Sequence, residues 1–268
     1  MLGKITTDIL ESYCNCKFKS YLKLAGEKGK ITEYEQLIKE ARAVITYSAA
    51  VKLNIHHEEN RTPIGIKLDR SVLKQGLPRF LNVLLENEEL SIHFDALQRV
   101  SGTSAIGEFH YIPILFNETG SPSQKQRSLL GILGSIVGDL QGTQPVHGIL
   151  IHGQAGQLRR VRMTLQNASS RQKLKELVAI RSGTTPRLSL NSHCQICEFR
   201  ERCYADAKTK DDLSLLGGIS EKEIAGYNKK GIFTVNQLSY NFRPRKSPKQ
   251  LNKKQPTYQR ALKALAVC

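Results

Sequence analysis

The sequence contains no apolar run long enough to cross a bilayer, which takes about 20 residues as a helix. Its first residues turn polar almost at once, so we expect no secretory signal peptide. Both absences argue against a membrane or secreted protein, and we expect no membrane partner. The expectation is a cytoplasmic protein with reduced cysteines, because that compartment disfavours disulfides.

Acidic residues are also scarce: 24 Asp and Glu stand against 40 Lys and Arg, which gives a formal charge of +16. This excess favours a polyanionic partner. Nucleic acid is the first candidate for this partner. It would bind through its phosphates, with an affinity that falls as the salt concentration rises. A ribosomal or membrane-surface protein would carry the same sign of charge. A chain of 268 residues can form one medium domain and a small appendage.

Three of the six cysteines form a C-x2-C-x5-C pattern at Cys194, Cys197 and Cys203. Two thiolates in a C-x2-C loop can reach one metal or cluster, and the third approaches from a short basic helix. The economical fourth ligand is Cys14 or Cys16, because the remaining cysteine is Cys268. Zinc modules usually supply two close pairs, so one distant cysteine plus a trio favours an iron–sulfur cluster. Ordinary buried thiols are the alternative.

The N-terminal segment adds a family resemblance to this pattern. A Thr-Asp-Ile-Leu start is followed by Tyr13, and then by Cys16 with Lys17 and Phe18 behind it. Together with the trio, it resembles the RecB-like, PD-(D/E)XK-type nucleases that carry a four-cysteine iron–sulfur staple. The resemblance runs through the first 240 residues in order. It implies a [4Fe–4S] cluster on Cys16, Cys194, Cys197 and Cys203, with Cys14 as the rival first ligand.

Helical spacing predicts helices over residues 6–24, 32–53 and 69–85. The second would bury one apolar face, formed by Leu37, Ala41, Val44, Ile45 and Ala49. In the resembled family a helix here carries a metal-binding histidine or glutamate. The matching turn of this chain, residues 40–44, has no histidine, and Glu35 and Glu40 are the possible substitutes.

Two strands are predicted next, over residues 90–100 and 109–116. In the resembled family an aspartate on the first strand and an acid-x-lysine on the second converge on Mg²⁺ or Mn²⁺, and the lysine assists the attacking water. Asp95 stands at the aspartate's position. The second strand admits two registers, which have different consequences for catalysis.

An early register supplies Glu108 as the acid and His110 in the lysine's place. Asp95 and Glu108 would then hold the metal, and Asp95, Glu108 and His110 would be catalytic. A late register puts Leu115 and Asn117 at these positions and leaves no catalytic pair. The family's glutamine-x3-tyrosine helix corresponds to a segment beginning at Gln126 that has no tyrosine, so weak or lost activity is expected.

A glycine-containing helix at residues 123–140 should pack closely against the sheet. Strands at residues 146–152 and 158–165 and a helix at residues 169–181 complete the predicted domain. Basic residues of the last strand, Arg159 and Arg160 above all, could line a DNA groove. An exposed edge strand protected by charge would look the same.

The composition changes after residue 211, where residues 211–240 resemble a helix-hairpin-helix module. Backbone N–H groups at Gly217, Gly218 and the following helix N-terminus could receive a DNA phosphate without reading a base. A small helical cap is the alternative. Residues 241–268 are rich in Lys, Arg and Pro, which predicts a flexible basic linker or tail.

The sequence therefore predicts an α/β protein: a PD-(D/E)XK-type mixed sheet flanked by helices over residues 1–210, and a small C-terminal all-α module. The expected function is a metal-dependent DNA nuclease in DNA processing or repair. The alternatives are an inactive DNA-binding scaffold with an iron–sulfur cluster, and a zinc-stabilised RNA-binding protein. DNA is the expected partner, and the resemblance adds a ribonuclease H-like protein or a helicase.

Overall fold

A six-stranded mixed sheet organises the first part of the protein in the computed structural model, which describes residues 2–55, 62–118, 120–153, 156–163, 167–241 and 256–267. The strands are β1 (Ile5–Thr6), β2 (Arg79–Glu86), β3 (Leu90–Ser104), β4 (Gly107–Asn117), β5 (His147–His152) and β6 (Gln157–Arg162). Their order is β1-β3-β4-β5-β6, and β2 also pairs with β3. The β1–β3 and β4–β5 pairs are parallel, and the other pairs are antiparallel.

Helices cover both faces of this sheet. They are α1 (Thr7–Asn15), α2 (Lys17–Leu24), α3 (Glu33–Ile55), α4 (Arg70–Lys74), α5 (Gln124–Gln141) and α6 (Asn167–Arg181). Residues of α5 pack against one face of the sheet, while the C-terminal half of α3 packs against the other. The predicted α/β class, with a mixed sheet flanked by helices, is thus confirmed.

The glycines of α5 allow the close packing that the sequence predicts. A Cβ at Gly134 would lie 2.8 Å from the Met163 side chain, and one at Gly138 would lie 2.4 Å from Gln144. Only a hydrogen fits at these positions without displacing a neighbour. Glycine lowers the intrinsic helix propensity of α5, but it allows the helix to lie close to Gln144 and Met163, which flank β5 and β6.

The predicted helix at residues 69–85 is wrong, because α4 ends at Lys74 and residues 79–86 form β2. Asn82 has a left-handed backbone, with φ of 52°. It separates Leu81, which packs on the α3 side, from Val83, which packs on the α5 side. A strand that buries residues on both faces gives a continuous apolar run rather than an alternating one, and such a run resembles a helix in sequence.

The predicted buried face of α3 is only partly right. Ile45 and Ala49 are buried as expected, together with Leu53. Leu37 and Val44 are 62% and 64% exposed. Only the second half of the helix lies on the sheet, so the apolar stripe is buried there and not in the first half.

The single helix predicted over residues 6–24 is two helices. Cys16 has an extended backbone, with φ of −162°, and separates α1 from α2. Its backbone N–H still donates to the Ser12 carbonyl, which closes the last turn of α1. The cysteine predicted as the first cluster ligand therefore stands at a helix break.

A second compact unit comprises residues 29–32 and 187–268. Within the described residues it contains 3-10 turns at Ser192–Ile196 and Leu213–Leu216, and helices α7 (Arg200–Thr209), α8 (Glu221–Asn228), α9 (Val235–Ser239) and α10 (Pro256–Val267). The predicted C-terminal all-α module is confirmed. The division falls after residue 186 rather than 210, so the cysteine trio belongs to the helical unit.

The predicted linker or tail at residues 241–268 lies partly outside the described residues. Residues 256–267 form α10, whose Ala264 is buried in the core of the helical unit. A linker is therefore the wrong prediction for this part of the tail, because its small apolar residues have a surface to pack against. No helix among the described residues is both long and apolar enough to span a membrane.

Candidate functional site

Asp95 lies where strands β3 and β4 separate. The last pair of their ladder is Ala96 with Ile114. Beyond it, the Phe116 backbone N–H donates to Asp95 Oδ2 over 2.7 Å. The carboxylate thus satisfies a backbone donor that the ladder no longer pairs, so Asp95 has a structural role at this position.

Arg42 of α3 brings further charged groups to Asp95. Its Nη1 lies 2.5 Å from Glu11 Oε1 of α1, and these side chains are 30% and 27% exposed. Arg42 also interacts electrostatically with Asp95 and with Glu118, which follows β4. We call Glu11, Arg42, Asp95 and Glu118 the carboxylate–arginine cluster. The cluster contains three carboxylates and one guanidinium, so it is net negative when all of them are ionised.

Burial and mutual repulsion shift the ionisation of this cluster. Burial raises the pKa of Glu11 above its ordinary value; Arg42 opposes that shift, whereas the Asp95 carboxylate adds to it. Burial likewise raises the pKa of Asp95, against the opposing effects of Arg42 and the Phe116 N–H. Burial alone would lower the pKa of Arg42, but Glu11 and Asp95 outweigh it and raise that pKa. The guanidinium therefore stays charged.

Glu108 and His110 lie far from Asp95. Val100 pairs with His110, and the register at Ala96 puts Asp95 level with Leu115. At about 3.4 Å per residue, Glu108 is roughly 24 Å farther along β4. There it accepts a hydrogen bond of 3.0 Å from the Thr103 hydroxyl. The early register, with Asp95, Glu108 and His110 as one metal and catalytic site, is therefore wrong.

The observed pairing agrees with the late register, in which Asn117 stands where the resembled family has its lysine. Asn117 is 3% exposed, and its side-chain oxygen accepts a hydrogen bond from the Gln126 amide. Gln126 Oε1 in turn accepts from the Ser123 N–H over 2.6 Å. His152, paired with Asn117 across β4 and β5, bonds the Gly120 carbonyl over 3.0 Å. The end of β4 is thus held by hydrogen bonds that involve Asn117, Gln126 and His152, with no lysine among them.

Glu11, Arg42 and Glu118 are not among the residues predicted from the sequence. Arg42 lies in the turn at residues 40–44 that matches the metal-binding helix position of the resembled family, where the prediction concerned a histidine or a carboxylate. Glu118 directly follows the buried strand β4. An acid after a buried strand and an arginine within a helix can indicate such a cluster. Whether the two side chains lie close together depends on contacts between residues that are distant in the chain.

The cysteine trio is buried within the helical unit. Cys194 lies in the 3-10 turn at Ser192–Ile196, Cys197 directly follows that turn, and Cys203 lies on α7. Their exposures are 6%, 6% and 8%. Burial raises the pKa of Cys194, and Cys197 raises it further, while the Asn191 N–H opposes the shift. Cysteine thiolates are the usual ligands of iron–sulfur clusters and are common ligands of zinc.

The two N-terminal cysteines differ in their surroundings. Cys14 packs against the α5 side of the sheet core, and burial raises its pKa against the opposing effects of Ser128 and Lys173. Cys16, at the break between α1 and α2, belongs to the first unit, whereas the trio belongs to the second. Across the described residues, no group of three or more His, Cys, Asp or Glu side chains is arranged to hold a metal ion.

The predicted DNA-binding arginines lie on the edge strand β6. Arg159 and Arg160 are both exposed. Arg159 is level with Leu150 and Arg160 with Ile149, so their side chains start on opposite faces of the sheet. Arg160 Nη2 donates to His147 Nε2 over 2.6 Å. Arg160 and Arg162, two residues apart, therefore share one face of the sheet, and Arg159 lies on the other face.

The Gly217–Gly218 turn already has a cationic partner. Both glycines have positive φ, and their carbonyls accept hydrogen bonds of 3.1 and 2.6 Å from Arg260 of α10. At the N-terminus of α8, Glu223 Oε2 accepts the Ser220 N–H over 2.8 Å. A phosphate approaching this helix terminus would meet the Glu223 carboxylate, so the geometry argues against the predicted phosphate site there.

No protein-family model matches the chain, and neither does any curated protein. Among solved structures, the crystal structure of SSO0001 is similar to it at 18% sequence identity, covering 75% of this chain and 86% of that one, with a TM-score of 0.35. A similarity of this size carries no argument about function.

Proposed function

We propose that this protein is a DNA-binding scaffold with a nuclease-type α/β fold that does not cut DNA. The observation that carries this proposal is the 2.5 Å ion pair between Arg42 and Glu11 within the carboxylate–arginine cluster. A guanidinium supplies the positive charge there that a nuclease of this type obtains from a divalent metal ion. Arg42 is fixed to the chain and cannot activate a water as a metal does.

The end of β4 supports the same conclusion. Hydrolysis in the resembled family needs an acid and a lysine, at positions that Leu115 and Asn117 take here. Leu115 is 3% exposed and apolar, so it offers no metal ligand. Asn117 is neutral and bonded to Gln126, so it brings no positive charge to an attacking water. Two catalytic groups are thus replaced by residues that pack or hold the strand end.

The DNA-binding part of the proposal rests on charge. The chain carries a formal +16, and exposed arginines lie along the edge strand β6. Binding through phosphates should show little sequence preference and should weaken steeply as salt rises. We expect such a protein in the cytoplasm, with a helicase or a ribonuclease H-like protein as a possible functional partner on the same DNA.

Mn²⁺-dependent cleavage of labelled single- and double-stranded DNA tests the catalytic part. Wild type and Asp95→Ala should show the same background rate. A wild-type rate clearly above that of Asp95→Ala would overturn the proposal. DNA binding by both proteins, measured on the same substrates, shows that a lack of cleavage is not a lack of contact.

A metal-dependent nuclease is the second candidate, and one observation favours it. The Glu11 carboxylate pairs with Arg42, and those of Asp95 and Glu118 interact with it electrostatically. Carboxylate oxygens are the ligands that Mg²⁺ prefers, although the described side chains are not arranged to hold a metal ion as they stand. In this candidate Arg42 would have to move aside for Mg²⁺ or Mn²⁺. Cleavage lost in both Glu11→Gln and Asp95→Ala would support it.

We also propose a structural [4Fe–4S] cluster on Cys194, Cys197 and Cys203, with Cys16 as fourth ligand. Three buried thiols in one unit, in a C-x2-C-x5-C pattern, support it. The cluster would stabilise the fold rather than take part in a reaction. Protein purified without oxygen should be brown and contain about four irons per chain. Stoichiometric zinc without visible absorption would contradict it.

A further inference from the structure

The face of the sheet that carries α3 has a basic region away from the carboxylate–arginine cluster. The β4–β5 and β5–β6 registers put alternate residues of these strands on this face, in line with Ile114 and Ile149 of the α3-side core. Four of these residues are basic or can become so. We call them the basic sheet face: His110, His147, Arg160 and Arg162.

The contact between Arg160 and His147 fixes the state of the histidine. A guanidinium can only donate, so His147 Nε2 accepts over 2.6 Å and must carry no proton there. Burial lowers the pKa of His147, and Arg160 and His110 lower it further. At neutral pH the histidine therefore orients the guanidinium of Arg160 and adds no charge.

His110 has unused hydrogen-bonding capacity on the same face. Its Nδ1 is buried and, within the described part of the chain, has no hydrogen-bond partner. Its ring lies over Gly102, where an added Cβ would come within 3.0 Å of two ring atoms. The glycine thus makes room for the ring against the sheet.

On the described strands β4, β5 and β6, Glu108 is the one acidic residue of this face. Glu108 lies two residues before His110 on β4 and therefore on the same face of the sheet. It is at the hairpin end, however, where its carboxylate accepts a hydrogen bond from the Thr103 hydroxyl. Arg99, stacked on Phe109, belongs to the other face. Of the charged and titratable groups on this face of the described strands, Arg160 and His110 act on His147 electrostatically, Arg162 is level with it on β6, and Glu108 is farther away on β4. Their balance is positive, which suits an anion.

We propose that the basic sheet face binds the phosphate backbone of a nucleic-acid strand. Arg160 and Arg162, two residues apart on β6, begin about 6.8 Å apart, a separation comparable with that of neighbouring phosphates along one strand. Guanidinium groups match phosphate oxygens in geometry as well as charge. This inference rests on the proposed DNA binding and identifies the surface responsible. Protection of an edge strand against pairing is the competing explanation for these arginines.

The test measures binding of a short fluorescein-labelled oligonucleotide to the full chain by fluorescence anisotropy. The variant is Arg160→Gln with Arg162→Gln. The matched control is Lys39→Gln with Lys175→Gln, which removes two exposed positive charges from α3 and α6. We expect the arginine variant to bind about tenfold more weakly than the control and to lower the slope of log K against log salt by about one to two.

The outcomes separate this inference from the proposed function. If wild type binds and the two double variants bind equally well, the basic sheet face is refuted while DNA binding stands. If wild type fails to bind at low salt, both proposals fail. A weaker arginine variant with an unchanged salt slope would also contradict phosphate contact, because the loss would then not involve counterion release.

A pH series gives a second readout. Acid should protonate His147 below the usual histidine pKa of about 6.5, so that it no longer accepts from Arg160 and adds a positive charge. Oligonucleotide affinity should therefore rise as the solution becomes mildly acidic, and His147→Gln should remove this rise. An unchanged pH response in His147→Gln would contradict a role for this histidine at the phosphate site.

Discussion

Replacing Arg42 tests how the carboxylate–arginine cluster is held together. The variant Arg42→Ala removes the guanidinium and leaves the carboxylates of Glu11, Asp95 and Glu118 in the cluster. Leaving a fully buried charge uncompensated costs about 3–5 kcal/mol. Because the Arg42 and Glu11 side chains are 30% and 27% exposed, solvent reduces this to about 1–3 kcal/mol. In a protein of this size each kcal/mol lowers the melting temperature by about 2–4 °C.

The loss should depend on pH in a defined direction. The folded-state pKa values of Glu11 and Asp95 lie above their ordinary values, so the folded protein binds protons more tightly than the unfolded chain. Such a group destabilises the fold as pH rises through its folded pKa. Removing Arg42 raises both pKa values further. The stability difference from wild type should thus be small in acid and grow as pH rises from about 4.

Urea unfolding across this pH range measures the effect. Arg171→Ala is the matched control, since its ion pair with Asp139 is 3.7 Å long and half-exposed, and should cost less than about 1 kcal/mol. Arg42→Met retains most of the side-chain volume, so a similar loss in both Arg42 variants shows that charge is responsible. If Arg42→Ala matches the control at neutral pH, the guanidinium does not hold the cluster.

The same variant connects stability to metal binding. If Arg42 takes the place of a cation, Mn²⁺ should stabilise Arg42→Ala by about 2.7 kcal/mol at a hundredfold excess over its dissociation constant, and should leave wild type unchanged. Equal stabilisation of both proteins would mean that the ion binds elsewhere. No stabilisation of either would show that the three carboxylates cannot assemble around a metal.

Three further predictions follow from individual contacts. Asp95→Asn should weaken the bond to the Phe116 N–H and, by removing one carboxylate, make the stability less dependent on pH in urea unfolding. Arg260→Ala should cost about 1–2 kcal/mol and increase amide hydrogen exchange in α10, because the Gly217 and Gly218 carbonyls lose their donor; unchanged exchange would contradict that role. Cys16→Ser should lower iron content while Cys14→Ser should not, and the opposite result would reverse the ligand assignment.

The elements that the sequence predicted well are those with local signals. The local strand pattern predicted the two strands over residues 90–100 and 109–116, and Asp95 was singled out because it stands at the position of the resembled family's aspartate. The glycines of α5 indicated close packing, and their nearest neighbours are Gln144 and Met163, which flank β5 and β6. Each of these inferences depends on residues close together in the chain, so no knowledge of the tertiary arrangement was required.

The errors arose where distant contacts decide the outcome. Nothing in the sequence around Arg42 shows that Glu11 and Asp95 will lie beside it, because the three residues come from α1, α3 and β3. The register of β4 could not be chosen from the strand itself, since its sequence allows either an acid with a histidine or a leucine with an asparagine at these positions. The structure decides between them through the pairing of Ala96 with Ile114.

The positions of the two charged regions fit the proposal of DNA binding without cutting. Arg160 is level with Ile149, and Ile149 is level with Ile114, two residues before Phe116 on β4. Arg160 therefore starts about 7 Å along the strands and two strands, about 10 Å, across the sheet from Phe116, which is roughly 12 Å in all. Because this distance exceeds the Debye length of about 8 Å at physiological salt, a phosphate held at Arg160 feels only a screened attraction to Arg42. A backbone that extended onto the cluster would meet three carboxylates beside one guanidinium. We therefore expect a bound strand to be held at the β6 edge of the sheet and kept off the carboxylates.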